Sequence, residues 1–406
     1  MQLLKKISSK HILIAILLST AFFRLYHLDF PNNYVFDEVY HGFTAKEYLA
    51  GHKQAWDPFA TPPKGVAYEW THPPLAKEIM TVSMFIFRTE NAWAYRLPGV
   101  LLGVLSVYLI FLLGKQLFRN EIIGLISAFI FSIDGLNFVQ SRIGMNDIYF
   151  ITFALISLLL FLRKKYLFSF IFLGLSFASK WAAVYLFGVY LILLIKEQKF
   201  KYILYCISTI LIVYAISYIP YFLLGYTPNQ FIELQKQMWW YHTNLKATHD
   251  YASPWWSWPL NLYPVWYYVD YTGDYVANIF ASGNPIVFWL GTGAILLTIW
   301  EFIKRRTFSL GILLLGYFAF WLPWAASPRI MFLYHYSPSV PFMALALGYQ
   351  LSKLDNSQNH NFLLIILGLM LLGFLLMFPF LTGIPIPKNL VQLFFLTNLT
   401  KNPFGS

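Results

Sequence analysis

Charged residues are scarce in this chain. Lys, Arg, Asp and Glu make up 12% of its 406 residues, whereas roughly 25% is typical of soluble globular domains. Hydrophobic residues make up 58%. A water-soluble fold could not bury such an excess, so the composition excludes an ordinary soluble protein and indicates that lipid is the solvent.

Cysteine is almost absent, and a nucleotide-binding glycine loop is missing. The single cysteine, Cys206, lies within an apolar run, so no intramolecular disulfide can form. No glycine-rich segment of the kind that cradles nucleotide phosphates occurs. No internal repeat or low-complexity tract is evident either, which argues against repeat architectures and long disordered segments.

The apolar runs predict an all-α polytopic membrane protein with about eleven spans, because a span needs about 20 apolar residues. The first run follows Lys10 and has no small-residue cleavage site before Arg24, which predicts an uncleaved first helix. The predicted spans lie near residues 9–27, 93–114, 121–138, 147–162, 166–179, 181–195, 202–224, 285–303, 307–325, 331–352 and 361–381.

The net charge of +11 is spread along short loops, which favours membrane orientation over nucleic-acid binding. With a cytoplasmic N-terminus, the inner segments are all short and basic, as the positive-inside rule expects. We therefore predict a cell-membrane protein with an N-terminal region (1–225), a second outer loop (226–284) and a C-terminal four-helix region with an outer tail (285–406). The predicted inner basic residues are Lys5, Lys6, Lys10, Lys115, Arg119, Arg163, Lys164, Lys165, Lys196, Lys199, Lys201, Lys304, Arg305, Arg306 and Lys353.

Two long outer loops, near residues 28–92 and 226–284, are rich in tryptophan and tyrosine, which favour the headgroup level. We expect interfacial helices within them near 43–49 and 228–241. Active-site residues are expected in these loops, on the outer face of the membrane.

Asp37 and Glu38 are adjacent carboxylates just beyond the first span. Partial desolvation there would raise the pKa of a carboxyl and let it act as a base. The alternative is that Asp37 caps a short helix running to Leu49. Farther along, Glu69 and His72 precede Pro73, where a proline bend would aim them over the membrane surface.

Basic residues also collect at the outer boundary. One such residue would be explained by snorkelling, but several together could hold an anion such as a lipid phosphate. The set comprises Arg96, Arg142, Lys180 and Arg329, joined by His72 and His335.

The second outer loop holds His242, His249, Tyr251 and a tryptophan cluster that begins at Trp255. Tryptophans stack on sugars, although taken alone they more often anchor in headgroups. The two histidines are a weak metal signal, because no neighbouring motif completes four ligands.

Five motifs in order resemble one family. They are Phe-Asp-Glu at 36–38, His-Pro-Pro-Leu-Ala-Lys at 72–77, the tract 141–147, His-x-Tyr-x-Ser-Pro to Trp-Pro at 249–259, and Arg329 with Leu-Tyr-His-Tyr at 333–336. Together they are similar to the protein O-mannosyltransferases that use a polyprenyl-phosphate sugar. The eukaryotic members carry a folded insert in the second outer loop, for which about 60 residues leave no room, so the chain resembles a compact prokaryotic member.

The resemblance implies a GT-C-type fold, a polyprenyl-phosphate mannose donor and Ser or Thr hydroxyls of exported proteins as acceptors. Asp37 would be the base of an inverting displacement. The expected partners are the lipid-linked sugar, the acceptor polypeptide and membrane lipids, without nucleic acid. The expected site residues are Asp37 and Glu38 for catalysis, Arg329, Lys180, Arg142, His335 and Arg96 for the donor phosphate, and Glu69, His72, His249, Tyr251 and Trp255 for substrate binding.

Other functions stay open at this point. No cofactor is firmly implied, although Asp37, Glu38 and Glu69 are a candidate set for a divalent cation. A related transferase acting on a glycan or lipid would use the same donor class. A transporter fits less well, since transporters usually place polar groups near the midplane and show repeated halves.

The predicted orientation can be tested by labelling introduced cysteines in intact cells. A cysteine near residue 60 should react with an impermeant reagent from outside, because it lies in the first outer loop. A cysteine near residue 305 should be protected, because it lies in a basic inner segment. Labelling at 305 from outside would contradict this topology.

Overall fold

The computed structural model describes residues 8–356 and 358–391 and is mostly helical. Lys5 and Lys6 of the predicted first inner segment, and residues 392–406 of the predicted outer tail, lie outside the described residues. The α-helices within the described residues are α1 (Ser9–Leu25), α2 (His41–Leu49), α3 (Leu75–Phe87), α4 (Ala92–Phe118), α5 (Glu121–Ser132), α6 (Gly135–Gln140), α7 (Asp147–Leu162), α8 (Tyr166–Ser179), α9 (Val184–Lys196), α10 (Phe200–Ile216), α11 (Ile219–Leu223), α12 (Pro228–Asn244), α13 (Pro285–Arg305), α14 (Phe308–Trp321), α15 (Val340–Ser352) and α16 (His360–Thr382). The strands described are β1 (Val265–Thr272), β2 (Tyr275–Ala281) and β3 (Ile386–Pro387).

Four of the described helices are long and apolar enough to cross a membrane: α4, α13, α14 with the turn that follows it, and α16. Shorter apolar helices accompany them, namely α5, α7, α8, α9, α10 and α15. Large apolar side chains such as Leu204 and Leu211 on α10 are 68% and 62% exposed. Such surfaces are stable only against lipid, so the chain is a multi-pass membrane protein.

The centre of the bundle packs through small residues. On α4, a Cβ added at Gly114 would lie 2.8 Å from the Cα of Gly124 on α5. A Cβ added at Gly348 on α15 would lie 2.1 Å from the Oγ of Ser127 on α5. Close backbone approach through glycine and serine is how helices associate where lipid removes the hydrophobic drive.

Three predicted spans are interrupted near their ends. The span at 121–138 breaks after α5, because the Asp134 carboxylate accepts hydrogen bonds from the amides of Leu136 and Asn137 and begins α6. The span at 202–224 divides into α10 and α11, with Pro220 in the first turn of α11. The span at 331–352 becomes a helical turn at Leu333–Tyr336 followed by α15, which has Pro341 in its first turn.

The second outer loop contains a sheet, which corrects the all-α prediction. Its helix α12 was predicted, and Thr227 with Gln230 forms a capping box at its start. Residues 265–281, however, form the antiparallel hairpin β1–β2, and β3 from beyond α16 adds a third strand. The segment is rich in Val, Tyr, Trp and Ile, and Gly273 supplies the positive φ of +57° at the turn.

The first outer loop contains two helices that pack against each other and against α4. Helix α2 covers the predicted 43–49 segment, and α3 begins directly after Pro74. The Ser83 hydroxyl of α3 donates to the Ala94 carbonyl of α4 at 2.6 Å, and the Thr81 hydroxyl donates to the Ala45 carbonyl of α2 at 2.8 Å. Both helices are thereby held against the bundle.

Segments predicted to share a side of the membrane contact one another. On the predicted outer side, the Tyr226 hydroxyl donates to the Lys53 carbonyl at 2.9 Å, and the Gly383 amide donates to the Asn278 carbonyl at 3.0 Å. On the predicted inner side, Phe118 stacks on Tyr349 at 4.6 Å between ring centroids. Connections of like predicted side are therefore neighbours in space.

A buried ion pair ties the first outer loop to the bundle. Glu38 accepts hydrogen bonds from the Nε and Nη2 of Arg96 on α4 at 2.7 and 2.6 Å. Its carboxylate also accepts from the Val35 and Gly144 amides at 2.8 and 2.7 Å and from the Tyr95 hydroxyl at 3.2 Å. One carboxylate thus joins the turn at residue 35, α4 and the segment before α7.

This geometry corrects two predicted roles. The remaining N–H groups of the Arg96 guanidinium donate to the carbonyls of Leu28, Pro31 and Asn33. The guanidinium therefore has no N–H group left for the phosphate of the sugar donor. Glu38 is completely buried with both oxygens occupied. It holds the fold and is not placed for proton transfer.

We expect Glu38→Gln to destabilise the protein strongly. The substitution leaves the Arg96 charge buried without its counter-charge, and breaking such a pair costs about 3–5 kcal/mol. Glu121→Gln is the matched control, because its pair with Lys115 is exposed and should contribute little. The measurement is the thermal unfolding midpoint in detergent. Equal midpoints for the two variants would contradict a structural role for the buried pair.

Candidate active site

The turn Phe36–Val39 presents Asp37 beside the bundle. Phe36 adopts a positive φ of +50°, which is uncommon for a bulky residue and marks local strain. Its ring stacks on Tyr267 of β1 at 4.0 Å and meets Tyr334 edge-on at 5.8 Å. Glu38, on one side of Asp37, is held by its ion pair with Arg96, and Phe36, on the other side, is held by its ring contacts. The backbone of Asp37 is therefore fixed between them.

The side chain of Asp37, unlike its backbone, is not held in place. Its side chain is partly exposed, and its carboxylate accepts no hydrogen bond from the part of the chain that the structure describes. Helix α2 begins after Tyr40 and has no side-chain cap, so the alternative that Asp37 serves as its cap is wrong. The carboxylate is free to meet a ligand.

The surroundings of Asp37 favour its protonated form near neutrality. Burial and the charges of Glu69 and Asp147 raise the pKa of Asp37 to about 7, against the opposing charges of Lys180 and Arg329. A carboxyl with a pKa near the working pH is suited to general-base catalysis. Of the two adjacent carboxylates in the motif, Asp37 is therefore the candidate base.

Lys180 lies beside Asp37 as half of an ion pair. It follows α8 in an extended conformation, and its ammonium donates to both oxygens of Asp147 at the start of α7, at 2.8 and 2.9 Å. Its side chain is 12% exposed and that of Asp147 is 1% exposed. The pair is fixed in place, with part of the Lys180 charge compensated by Asp147.

Arg329 is the other cation near Asp37, and it has no carboxylate partner among the described residues. Its Nη1 donates to the Nδ1 of His242 on α12 at 2.6 Å, and the Nε2 of His242 donates to the Thr71 carbonyl at 2.8 Å. The guanidinium also lies 5.9 Å from the ring centroid of Tyr241. A charge without a counter-ion at this place can bind an anion.

Glu69 and His72 form a third element of the site. The Nδ1 of His72 lies 2.9 Å from Glu69, and the Glu69 amide donates to the Thr44 hydroxyl of α2 at 2.7 Å. Burial lowers the pKa of His72, so its neutral ring donates this hydrogen bond through Nδ1 at neutral pH. The Lys77 ammonium donates to the His72 carbonyl at 3.0 Å and fixes the proline bend.

Two predicted phosphate ligands have other contacts. Arg142 donates through Nη1 to the Phe23 and Arg24 carbonyls at 2.9 and 2.8 Å, and through Nη2 to the His27 carbonyl at 3.4 Å. It therefore satisfies the C-terminal end of α1. Its assignment to the phosphate stays a prediction. His335 accepts from the Phe332 amide at 3.0 Å through Nδ1, so only its Nε2 remains for a ligand.

The predicted substrate residues of the second loop lie around the turn at 333–336. His249 is exposed and packs against Phe332 at 5.4 Å, while Tyr251 is half-buried. The ring of Trp255 lies 5.3 Å from that of Trp321, the last residue of α14. These contacts shape the surface beside Arg329, and the binding roles of His249, Tyr251 and Trp255 stay predictions.

Metal-binding groups are not brought together in the described part of the chain. No group of three or more His, Cys, Asp or Glu side chains within residues 8–356 and 358–391 could hold a metal ion. Glu38 belongs to its ion pair with Arg96, which removes it from the candidate set with Asp37 and Glu69. His242 and His249 have separate partners.

Sequence reasoning missed several members of this site. The sequence suggests His242 only as a metal ligand, and Asp147 only as the start of a span and the end of the motif at 141–147. The contact of Tyr267 and Tyr334 with the ring of Phe36 was also missed, because Tyr267 lies on strand β1, which was not predicted. An intramembrane Asp at a helix start opposite a Lys is a signal that could have paired Asp147 with Lys180.

Comparisons with known proteins place the chain among glycosyltransferases of lipid-linked sugars. Residues 14–227 match the family described as dolichyl-phosphate-mannose-protein mannosyltransferase, and residues 227–397 match the C-terminal four-transmembrane region of protein O-mannosyltransferases. The polyprenol-phosphate-mannose–protein mannosyltransferase of Mycolicibacterium smegmatis is 23% identical over 410 residues, covering 78% of this chain and 79% of that protein. Its Corynebacterium glutamicum counterpart is 24% identical, covering 68% and 70%.

Solved structures show the same fold. A chain of the Saccharomyces cerevisiae protein O-mannosyltransferase Pmt1–Pmt2 complex, bound to the sugar donor, is similar with a TM-score of 0.79 and 16% identity, covering 96% of this chain and 92% of that chain. ArnT from Cupriavidus metallidurans, bound to undecaprenyl phosphate, gives a TM-score of 0.61 at 14% identity, covering 87% and 61%. The fold is thus of the GT-C type, and the chain belongs to the dolichyl-phosphate-mannose-protein mannosyltransferase family of glycosyltransferases.

Proposed function

We propose that this enzyme transfers a mannosyl residue from polyprenyl-phosphate mannose to Ser or Thr hydroxyls of exported proteins. The observation that carries the proposal is the open carboxylate of Asp37, with a pKa near 7, beside the uncompensated charge of Arg329. A base and an anion site side by side are what transfer from a lipid phosphate requires. The names of the relatives in Mycolicibacterium smegmatis and Corynebacterium glutamicum support the donor and the acceptor class.

The reaction is an inverting displacement in one step. The acceptor oxygen attacks the anomeric carbon while Asp37 takes the hydroxyl proton. The bond from that carbon to the phosphate oxygen breaks, and the phosphate leaves with one additional negative charge. Arg329 stabilises that charge with two parallel hydrogen bonds, and Lys180 contributes as a point charge. Asp37 then releases its proton to solvent.

The remaining site residues have supporting roles in this proposal. Glu69 and His72 line the acceptor side near Asp37, and His335 offers Nε2 toward the phosphate. His249, Tyr251 and Trp255 bind sugar or acceptor peptide from the second outer loop. The partial exposure of His249 and Trp255 supports contact with a ligand.

We further propose eleven spans in the cell membrane, with a cytoplasmic N-terminus and the site on the outer face. Contacts among the segments of each predicted side support this arrangement, as described for Tyr226 with Lys53 and Phe118 with Tyr349. The attachment of Gly383 to the sheet at Asn278 supports an outer position for the end of α16.

The proposed activity is tested with purified protein, labelled polyprenyl-phosphate mannose and a Ser/Thr-rich peptide. Label should appear on the peptide, and a peptide with every Ser and Thr replaced by Ala should stay unlabelled. Transfer to a glycan or lipid acceptor instead of the peptide would overturn the acceptor assignment and favour the related transferase.

We expect Asp37→Asn to reduce the transfer rate by about 10²–10⁴-fold, because an amide cannot take the acceptor proton. Donor binding and the unfolding midpoint should change little, since the Asp37 carboxylate holds no hydrogen bond in the described structure. The matched control is Asp29→Asn, an exposed carboxylate in the same loop. Near-normal turnover by Asp37→Asn would rule this residue out as the base.

We expect Arg329→Lys to lower kcat on the order of 10²-fold with a smaller effect on KM, because the lost bidentate contact acts mainly on the leaving phosphate. Lys180→Arg should retain more activity, since the new side chain can still pair with Asp147. The exposed, predicted inner residue gives the control Arg163→Lys. If Arg329→Lys behaves like Arg163→Lys in steady-state kinetics, the phosphate site lies elsewhere.

A further inference from the structure

We infer that His242 is a positioning residue that sets the orientation of the Arg329 guanidinium toward the leaving phosphate. The inference rests on the proposed role of Arg329 in the transfer reaction. The observation behind it is a two-sided hydrogen-bonded bridge that runs from Arg329 through the His242 ring to the first outer loop.

The bridge joins three separate parts of the chain. Arg329 lies in the segment between α14 and α15, His242 is near the end of α12, and Thr71 belongs to the first outer loop. The Nη1 of Arg329 lies 2.6 Å from the Nδ1 of His242, and the Nε2 of His242 lies 2.8 Å from the Thr71 carbonyl. Because a carbonyl can only accept, Nε2 carries the proton and Nδ1 presents its lone pair to Arg329.

This tautomer requires a neutral ring, and the surroundings supply one. Burial lowers the pKa of His242 to about 3, with smaller contributions in the same direction from the neighbouring His72 and Arg329. A protonated ring would carry hydrogen on both nitrogens, so it would lose the hydrogen bond from Arg329 and repel its charge. The bridge is therefore intact across the neutral pH range.

The guanidinium depends on this bridge for its direction. Within the described residues, the contact with Nδ1 is the one hydrogen bond that Arg329 makes, and its Nε is buried without a partner. Arg96, by contrast, is held by the Glu38 carboxylate and by three backbone carbonyls. A neutral acceptor orients Arg329 without cancelling its charge, which leaves the charge for an anion.

The ring of His242 also lies near the other cation of the site, Lys180. It lies 6.0 Å from the ring of Trp181, the residue directly after Lys180. The Trp181 indole donates to the Tyr214 hydroxyl at 3.1 Å, and Tyr214 donates in turn to Gln235 of α12 at 2.6 Å. Helix α12 therefore contacts the neighbourhood of Lys180 and the Arg329 side chain at once.

The test is a double-mutant cycle between His242 and Arg329 in the transfer assay. His242→Phe keeps a ring but removes both hydrogen bonds, and kcat should fall about 10-fold or more while KM changes less. In the Arg329→Lys background the same substitution should add less than about twofold, because the group that it positions is already compromised. His242→Gln offers both an acceptor and a donor, and should recover activity to within about threefold of wild type.

The control is His52→Phe, an exposed histidine of the first outer loop, which should leave kcat unchanged. A full independent loss for His242→Phe in the Arg329→Lys background would overturn the inference, as would a His242→Gln enzyme as slow as His242→Phe. Wild-type transfer is measured in the same assay. Failure of the wild type would sink the proposed function, whereas additive losses in an active enzyme would sink only the positioning role.

Discussion

The buried pair of Glu38 and Arg96 is the constraint on which the site depends. Both side chains are almost completely inaccessible to solvent, so their charges are stable only together. The Glu38 carboxylate also accepts a hydrogen bond from the amide of Gly144, which precedes α7. This bond fixes the first outer loop against the start of that helix. The position of Asp37 follows from this arrangement. Glu38, the next residue, is fixed in the interior, while the Asp37 carboxylate is partly exposed near the pair of Asp147 and Lys180. Of the two adjacent acidic residues, Glu38 therefore holds the fold, while Asp37 is left without a hydrogen-bond partner in the described structure and is the base that we propose.

A difference in hydrogen bonding separates Arg329 from the other cations at the outer boundary. Arg96 and Arg142 lie at the same predicted membrane depth as Arg329, yet carbonyls and a carboxylate occupy their guanidinium groups. Lys180 is partly neutralised by Asp147. In the described structure Arg329 makes a single side-chain hydrogen bond, to the neutral ring of His242, whereas Arg142 makes three to carbonyls. In a medium with little water, such an unbalanced charge is costly without an anion. The lipid phosphate that we propose as leaving group supplies the missing counter-charge.

Much of the fold could be predicted from the sequence, because hydropathy and the basic loops depend on composition alone. The helices near 43–49 and 228–241 and the family were confirmed, while the interfacial position of the helices stays a prediction. Other features depend on partners distant in sequence. Nothing local distinguishes Arg96, held by Glu38, from Arg329, which is left open, and the role of His242 depends on residues 71 and 329. The hairpin β1–β2 was missed because its tyrosines and tryptophans also fit an aromatic interfacial segment. Periodicity finds elements, whereas charge pairing requires the packed structure.

The most direct test of this account is the pH dependence of kcat/KM for transfer from polyprenyl-phosphate mannose to a Ser/Thr peptide. Burial and the neighbouring carboxylates Glu69 and Asp147 raise the pKa of Asp37 to about 7, against the opposing charges of Lys180 and Arg329. The base must be unprotonated to accept the hydroxyl proton, so kcat/KM should rise about tenfold per pH unit below 7 and level off above it. An acid limb near pH 4, as for an ordinary aspartate, would contradict the central claim that Asp37 is a partly buried base surrounded by these charges.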